Sequence, residues 1–118
     1  MANSRQYASH SLRMVKELSA RGLLCVNGRS LRWIRNHLGR FDGREIIQRV
    51  IESTHEEDFQ KSVELNMQPG TWADVYRYVM TGDEELDGDE GWYVKVFIDE
   101  SGVLRLSVLS ANWEGYIH

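Results

Sequence analysis

The sequence predicts a single α+β domain in which three N-terminal helices pack on one face of a mainly antiparallel sheet. Apolar residues recur with the period of a helix up to about residue 53 and alternate with polar residues from Phe59 onward. The chain has 118 residues, 42% of them hydrophobic and 27% charged, which is typical of one globular domain. Helices followed by strands indicate the α+β class.

The first helix follows Ser9 or Ser11, either of which can serve as its N-cap, and it ends at Gly22. Its apolar face contains Leu12, Val15 and Leu18. Residues 23–26 form a short apolar run that fits a strand or an extended link, and Asn27-Gly28 predicts a turn.

A second helix is predicted from Ser30, as its cap, to Gly39. Its buried stripe consists of Leu31, Ile34 and Leu38. Asp42 and Glu45 have the spacing of a capping box for a third helix. The inward residues of that helix are Ile46, Ile47, Val50 and Ile51. Thr54 and Glu57 repeat the capping spacing before one further short turn.

Four strands follow, separated by turns at Pro69-Gly70 and at residues 99–102 and by an acidic loop at residues 81–91. In the last two strands, one face carries Val94, Val96, Ile98, Leu104, Leu106 and Val108. The opposite face carries Tyr93, Lys95, Phe97, Arg105 and Ser107. This second face is either an ordinary solvated surface or a surface for a phosphate-bearing partner.

Lys61 interrupts the apolar pattern of the first predicted strand, because it shares the parity of Phe59, Val63 and Leu65. Two interpretations remain open. The side chain extends to solvent from a sheet edge, or it lies in a cleft where it neutralises a phosphate or donates a proton.

The acidic run and the single cysteine limit the kinds of metal site and disulfide that the chain can form. The net charge is −4, and residues 83–90 include six acidic residues, the first Asp83 and the last Glu90. This run is either a solvated loop or a calcium site, but Val94 stands where a calcium-binding loop requires a glutamate. The single cysteine, Cys25, excludes an internal disulfide and a four-cysteine zinc site. With no signal peptide and no membrane span in the sequence, we expect a cytoplasmic protein without membrane contact.

Several motifs occur in an order that resembles the MqsR family of bacterial toxins, the ribonuclease halves of toxin–antitoxin pairs. They are Ser9-His10, Leu12-x-x-Val15-Lys16-x-Leu18, Phe41-Asp42-Gly43, Asp58-Phe59-x-Lys61-Ser62, Trp72-x-Asp74-Val75-Tyr76-Arg77 and Tyr93-x-Lys95. The resemblance covers about residues 9–109 of one domain, 1–118, with the acidic loop and a tail at about 110–118 as additions. It implies a RelE-like fold, cleavage of messenger RNA without a metal or cofactor, and neutralisation by a cognate antitoxin. The antitoxin is the DNA-binding partner in this family, so we expect no direct DNA binding by this chain.

The resemblance assigns the catalytic roles to Lys61 and Tyr93. Cleavage of RNA by its own 2′-hydroxyl needs a base, an acid and cations around the phosphorus, and these two residues would clamp the phosphate and transfer protons. Arg77, Lys95 and Arg105 would bind RNA by supplying positive charge.

Two positions depart from the family pattern. Ala73 stands in place of a glutamine, and Leu109 stands in place of a late lysine. Neither side chain can transfer a proton or bind a phosphate, so the chain is identified as a divergent member. Lys95, Arg105, His55 and His118 are the candidates to replace the lost groups.

Three alternative functions are compatible with these sequence features. The first is a toxin-type endoribonuclease. The second is a catalytically degenerate member of the same fold that acts by binding a protein, as an inhibitor or regulator. The third is an unrelated small binding module.

Overall fold

The computed structural model describes residues 3–38, 44–66, 68–80 and 90–110. Its helices are α1 (Leu12–Ala20), α2 (Gly28–Leu38) and α3 (Arg44–Ser53), followed by a 3₁₀ turn at Glu56–Asp58. Its strands are β1 (Ser4–Arg5), β2 (Leu24–Val26), β3 (Phe59–Glu64), β4 (Trp72–Met80), β5 (Glu90–Ile98) and β6 (Leu104–Ser110). The strands form one six-stranded sheet in the order β1-β3-β4-β5-β6-β2. The α+β class is therefore confirmed.

The sheet is mixed, because β2 pairs parallel to β6 while the other pairs are antiparallel. The sequence predicted the long β4–β5–β6 meander but neither β1 nor the pairing of β2. Both depend on contacts far apart in the sequence. Leu24 lies opposite Leu104, and Ser4 lies opposite Val63.

The first helix begins as predicted, with the Ser11 hydroxyl accepting from the N–H of Met14. The start predicted for α2 at Ser30 is wrong, because the helix already begins at Gly28. The Asn27 side chain accepts from the N–H of Arg29 at 2.8 Å and takes the capping role, so Asn27-Gly28 opens a helix rather than forming the predicted turn. Gly39 and Asp42, predicted to end α2 and cap α3, lie outside the described residues.

The short turn after α3 is capped differently from the prediction. The Thr54 hydroxyl donates back to the carbonyl of Val50, while the N–H of His55 donates to the Asp58 carboxylate at 2.8 Å. A helix-terminal threonine that bonds the preceding turn is not free to cap the next one.

One buried cluster joins α1, α3 and a face of the sheet. Its members are Val15, Leu18, Leu24, Val26, Ile46, Ile47, Val50, Ile51, Tyr76, Val94, Val96, Leu104 and Leu106. Leu31 of α2 and Ile98 of β5 pack against it. The predicted inward faces of α1 and α3 are thus confirmed, as is the inward face of the last two strands over these residues.

A β-bulge in β3 corrects the predicted parity of Lys61. Phe59 lies opposite Tyr76 and packs against the helix-facing cluster, but the register shifts before Lys61, which lies opposite Val75. The extra residue of a bulge reverses the side of every residue that follows it. Lys61 therefore shares a face with Val63 and not with Phe59.

Some predictions fall beyond the described residues. The acidic loop predicted at 81–91 is bounded by Met80, the last residue of β4, and Glu90, the first of β5, and residues 81–89 are not described. Ser110 ends β6, and the rest of the predicted tail, 111–118, is likewise undescribed. Within the described ranges, no helix has both the length and the apolar character needed to cross a membrane.

Candidate functional site

The sheet face opposite the helix-facing cluster carries Lys61, Arg77, Lys95 and Arg105, which we call the basic face. The strand register places these residues in neighbouring rows, where a row is a set of residues directly opposite one another on adjacent strands. Lys61 and Lys95 both lie opposite Val75, one on each side of it. Arg77 lies opposite Tyr93, and Arg105 lies opposite Phe97. The structure thus brings together all five residues predicted to bind or cleave RNA.

The two lysines of the basic face are half-buried and have no counter-charge among the described residues. Neither Lys61 nor Lys95 makes a hydrogen bond or ion pair with any described residue, whereas the third lysine, Lys16, donates to the carbonyl of Glu52. Burial alone lowers the pKa of Lys95. A desolvated ammonium group without a partner gains strongly from an anion that approaches it.

A pocket of about 230 Å³ adjoins Lys95 at the β2 side of the face. It is lined by Cys25, Asn27, Leu65, Lys95, Phe97, Arg105 and Leu106. Cys25 is exposed, although it lies within the apolar run at residues 23–26. Because Leu24 and Val26 face the helices, strand alternation turns Cys25 to the basic face, where it lies opposite Arg105.

The charge of Arg105 on this face is compensated by Asp99. Its Nε donates to the Asp99 carboxylate at 2.7 Å, and the N–H groups of Ser101 and Val103 donate to the same side chain. The hydrogen bond from Arg105 and those from the backbone hold the pKa of Asp99 below its usual range. Arg105 therefore presents a partly neutralised charge to the pocket.

Tyr93 is the least accessible of the predicted site residues. Only 2% of it is exposed, and it clusters with Val75 and Val63 on the basic-face side. Ala73 is fully buried, and Leu109 lies directly opposite Tyr93. By strand register, both departures from the family pattern therefore lie on the basic-face side of the sheet.

Of the two histidines proposed as replacements, the structure describes only His55, which does not join this face. His55 is exposed on the connection between α3 and β3, and its N–H is used by Asp58. His118 lies outside the described residues. Sequence reasoning also did not assign Asn27 to the site, because its position depends on the parallel β2–β6 pairing.

Five of the motif residues form a separate structural cluster behind the face. The buried Asp74 carboxylate accepts the N–H groups of Ser9 and His10 at 2.8 and 2.9 Å. The hydroxyls of Ser9 and Ser62 lie 2.6 Å apart, and the His10 imidazole donates to the carbonyl of Trp72. These residues anchor the N-terminal segment to β3 and β4, so their role is architectural rather than catalytic.

No group of three or more His, Cys, Asp and Glu side chains placed to hold a metal ion occurs in the part of the chain that the structure describes. Comparison with protein-family models and with curated proteins finds no match for this chain.

Proposed function

We propose that this protein binds messenger RNA on its basic face and cleaves it without a metal ion, as a divergent MqsR-like toxin controlled by an antitoxin. The proposal includes the RelE-like arrangement, with all three helices on the far side of the sheet. The family assignment rests on the order of the sequence motifs. The site assignment rests on the geometry of the basic face.

The proposal rests on one observation: Lys61 and Lys95 both lie directly opposite Val75, on the two strands that flank it. Two strand spacings separate the lysines, about 10 Å between their backbones. Two half-buried ammonium groups at that separation, without counter-ions among the described residues, form a surface complementary to a chain of phosphates. The same arrangement is destabilising for the free protein, because like charges repel and each is partly desolvated.

The chemistry follows from these positions. The 2′-hydroxyl of a ribose gives up its proton as its oxygen attacks the adjacent phosphorus, and the 5′-oxygen takes up a proton as its bond to phosphorus breaks. The products are a 2′,3′-cyclic phosphate and a 5′-hydroxyl. Lys61 and Arg77 stabilise the negative charge that develops on the phosphorane. Lys95, whose pKa burial lowers, is suited to transfer a proton nearer to neutral pH than an exposed lysine. Tyr93 serves this step only if its hydroxyl reaches the RNA.

The experiment is cleavage of a long unstructured messenger RNA in the presence of EDTA. We expect the wild type to cut, and Lys61→Ala and Lys95→Ala to lose most activity. Lys16→Ala, the control on helix α1, should retain it. Tyr93→Phe tests the proton-transfer role. Activity that requires a divalent cation, or that survives in both basic-face variants, would contradict the proposal.

A second candidate, a catalytically degenerate protein-binding member of the fold, is favoured by one specific observation. Tyr93 is buried, with Leu109 opposite it and Ala73 in the same sheet, so three of the expected functional positions offer no accessible polar group. A well-folded wild type that binds RNA or a protein but leaves RNA intact would select this alternative.

A further inference from the structure

The pocket beside Lys95 has a lining that phosphate binding alone does not explain. Phe97 and Leu65 give it apolar walls, and both side chains are half-buried. A phosphate gains nothing from an aromatic wall, whereas a nucleobase stacks on one. The volume of about 230 Å³ is below the roughly 300–1,000 Å³ of pockets for drug-sized ligands, so it suits one planar ring system.

The position of Phe97 relative to Lys95 matches the two parts of a nucleotide. They lie two residues apart on β5, so both side chains leave the sheet on the basic face. Two residues advance about 6.5–7 Å along a strand. A base and its own phosphate are separated by one ribose, which spans a comparable distance. A phosphate held by Lys95 therefore brings its own base to the Phe97 ring.

The polar side chains of the pocket present mainly hydrogen-bond donors. The Asn27 Oδ1 accepts the N–H of Arg29 at 2.8 Å, which fixes the amide and leaves its Nδ2 group to donate. Arg105 uses Nε for Asp99, so its two Nη groups remain. Lys95 adds an ammonium group without a described partner.

Acceptors are weaker in the same lining. Cys25 contributes a thiol, which is a weak donor and a weak acceptor. Asp99 is outside the lining, and its carboxylate already accepts from Arg105, Ser101 and Val103. The side chains of the pocket therefore favour a base that presents a carbonyl oxygen over one that presents an amino group.

We propose that this pocket binds the base of the nucleotide whose phosphate contacts Lys95. Phe97 stacks on the base, and Asn27 donates to its carbonyl oxygen. The assignment rests on the proposed function, since it takes RNA as the ligand of the basic face. It adds a preference for an oxo base over adenine at the position next to that phosphate.

The test is an NMR titration of the ¹⁵N-labelled full chain with three phosphates. Inosine 5′-monophosphate carries an oxygen at position 6 of its purine, adenosine 5′-monophosphate carries an amino group there, and ribose 5-phosphate has no base. We expect saturable amide shifts at residues 25–27 and 95–97. The inosine nucleotide should bind about three- to tenfold more tightly than the adenosine nucleotide. Both should bind at least about fivefold more tightly than ribose 5-phosphate because both stack.

Two variants test the assigned contacts separately. Asn27→Ser keeps a helix-capping oxygen but removes the amide donor, so it should abolish the preference for inosine over adenosine. Asn66→Ser makes the same change at an exposed position outside the pocket lining and should retain that preference. Phe97→Leu keeps an apolar wall without a ring. It should weaken both nucleotides about fivefold and should not weaken ribose 5-phosphate.

Equal binding of ribose 5-phosphate and the two nucleotides would overturn the base pocket. Equal binding of the two nucleotides by wild type, or a preference that survives Asn27→Ser, would overturn the assigned carbonyl contact. Each result is separable from failure of the proposed function, because cleavage of messenger RNA by wild type is measured independently. A wild type that binds none of the three phosphates and leaves RNA intact would overturn both proposals.

Discussion

Lys61 and Lys95 lie on the same face of the sheet, on the two strands that flank Val75, and both are directly opposite that residue. Neither has a hydrogen-bond or ion-pair partner among the described residues. The aligned charges are therefore available to an external anion, and three consequences for binding and stability follow from them.

The first concerns the salt dependence of RNA binding. If each lysine contacts one phosphate, Lys61→Ala and Lys95→Ala should each weaken binding of a single-stranded RNA. Each should also reduce the slope of log K against log salt by about 0.7. Fluorescence anisotropy over a series of salt concentrations measures both quantities. Lys16→Ala should change neither, since the Lys16 ammonium bonds the carbonyl of Glu52. Equal slopes in wild type and both basic-face variants would contradict the phosphate contacts.

The second consequence is a conflict between function and stability at Lys95. Burial lowers the pKa of this lysine, so the folded state disfavours its charged form. Lys95→Met should therefore raise the free energy of unfolding near neutral pH, by about 0.5–1 kcal/mol after discounting for the half-exposed position. The same variant should bind RNA more weakly. Urea unfolding of wild type and variant, with Lys16→Met as the control, provides the comparison.

The pH dependence of that difference has a definite sign. Below the lowered pKa, Lys95 is protonated in both the folded and the unfolded state, and the full cost of burying its charge is present. Above it, the folded state releases the proton first, so the unfolded state binds more protons and wild-type stability from this group rises with pH toward 10.5. The advantage of Lys95→Met should therefore shrink as the pH becomes alkaline. A constant advantage at all pH values would show that packing, not charge, causes it.

The sequence predicted the face on which Lys95 lies but not the face on which Lys61 lies. The alternation of residues 92–98 placed Tyr93, Lys95 and Phe97 on one face because a strand has a period of two. It could not place Lys61 there, since the bulge after Phe59 has no local sequence signal and reverses the parity of the following residues. The pocket beside Lys95 was likewise unpredictable, because Cys25 and Asn27 reach it only through the parallel pairing of β2 with β6. Helical faces were predictable because their pattern is local.

Removing the counter-charge of Arg105 should strengthen RNA binding. Asp99 accepts from Arg105 at 2.7 Å and partly neutralises it. In Asp99→Asn, the amide oxygen can still accept from Ser101 and Val103, but the guanidinium loses its anionic partner. RNA affinity should therefore rise by about two- to fivefold, with a steeper salt dependence. Glu100→Gln, an exposed neighbour that removes the same charge, is the control for a general change in net charge. Equal gains in both variants would indicate that only the net charge matters.

The N-terminal segment should depend on Asp74. This buried carboxylate accepts the N–H groups of Ser9 and His10, and an amide in its place would point N–H donors at backbone donors. Asp74→Asn should lower the free energy of unfolding by about 2–4 kcal/mol. Asp58→Asn, which affects one N–H donated by His55, should cost only about 0.5–1.5 kcal/mol. Urea unfolding measures both, and hydrogen exchange should show Ser9 and His10 losing protection in Asp74→Asn alone. Similar losses in the two variants would contradict the anchoring role.

Cys25 provides a chemical probe of the pocket next to Lys95. Its thiol is exposed and lines the same 230 Å³ pocket as Lys95 and Arg105. Alkylation with iodoacetate places a carboxylate beside these two cations, whereas iodoacetamide adds a neutral group of nearly the same size. If RNA passes over this pocket, the carboxymethylated protein should bind RNA more weakly than the carbamidomethylated one, because the added charge competes with the phosphate.

Bound RNA should also slow the alkylation of Cys25, as followed by mass spectrometry. The Cys25→Ser variant, treated with both reagents, controls for reaction elsewhere. Equal affinities of the two alkylated forms, together with unchanged alkylation in the presence of RNA, would place the RNA path away from this pocket.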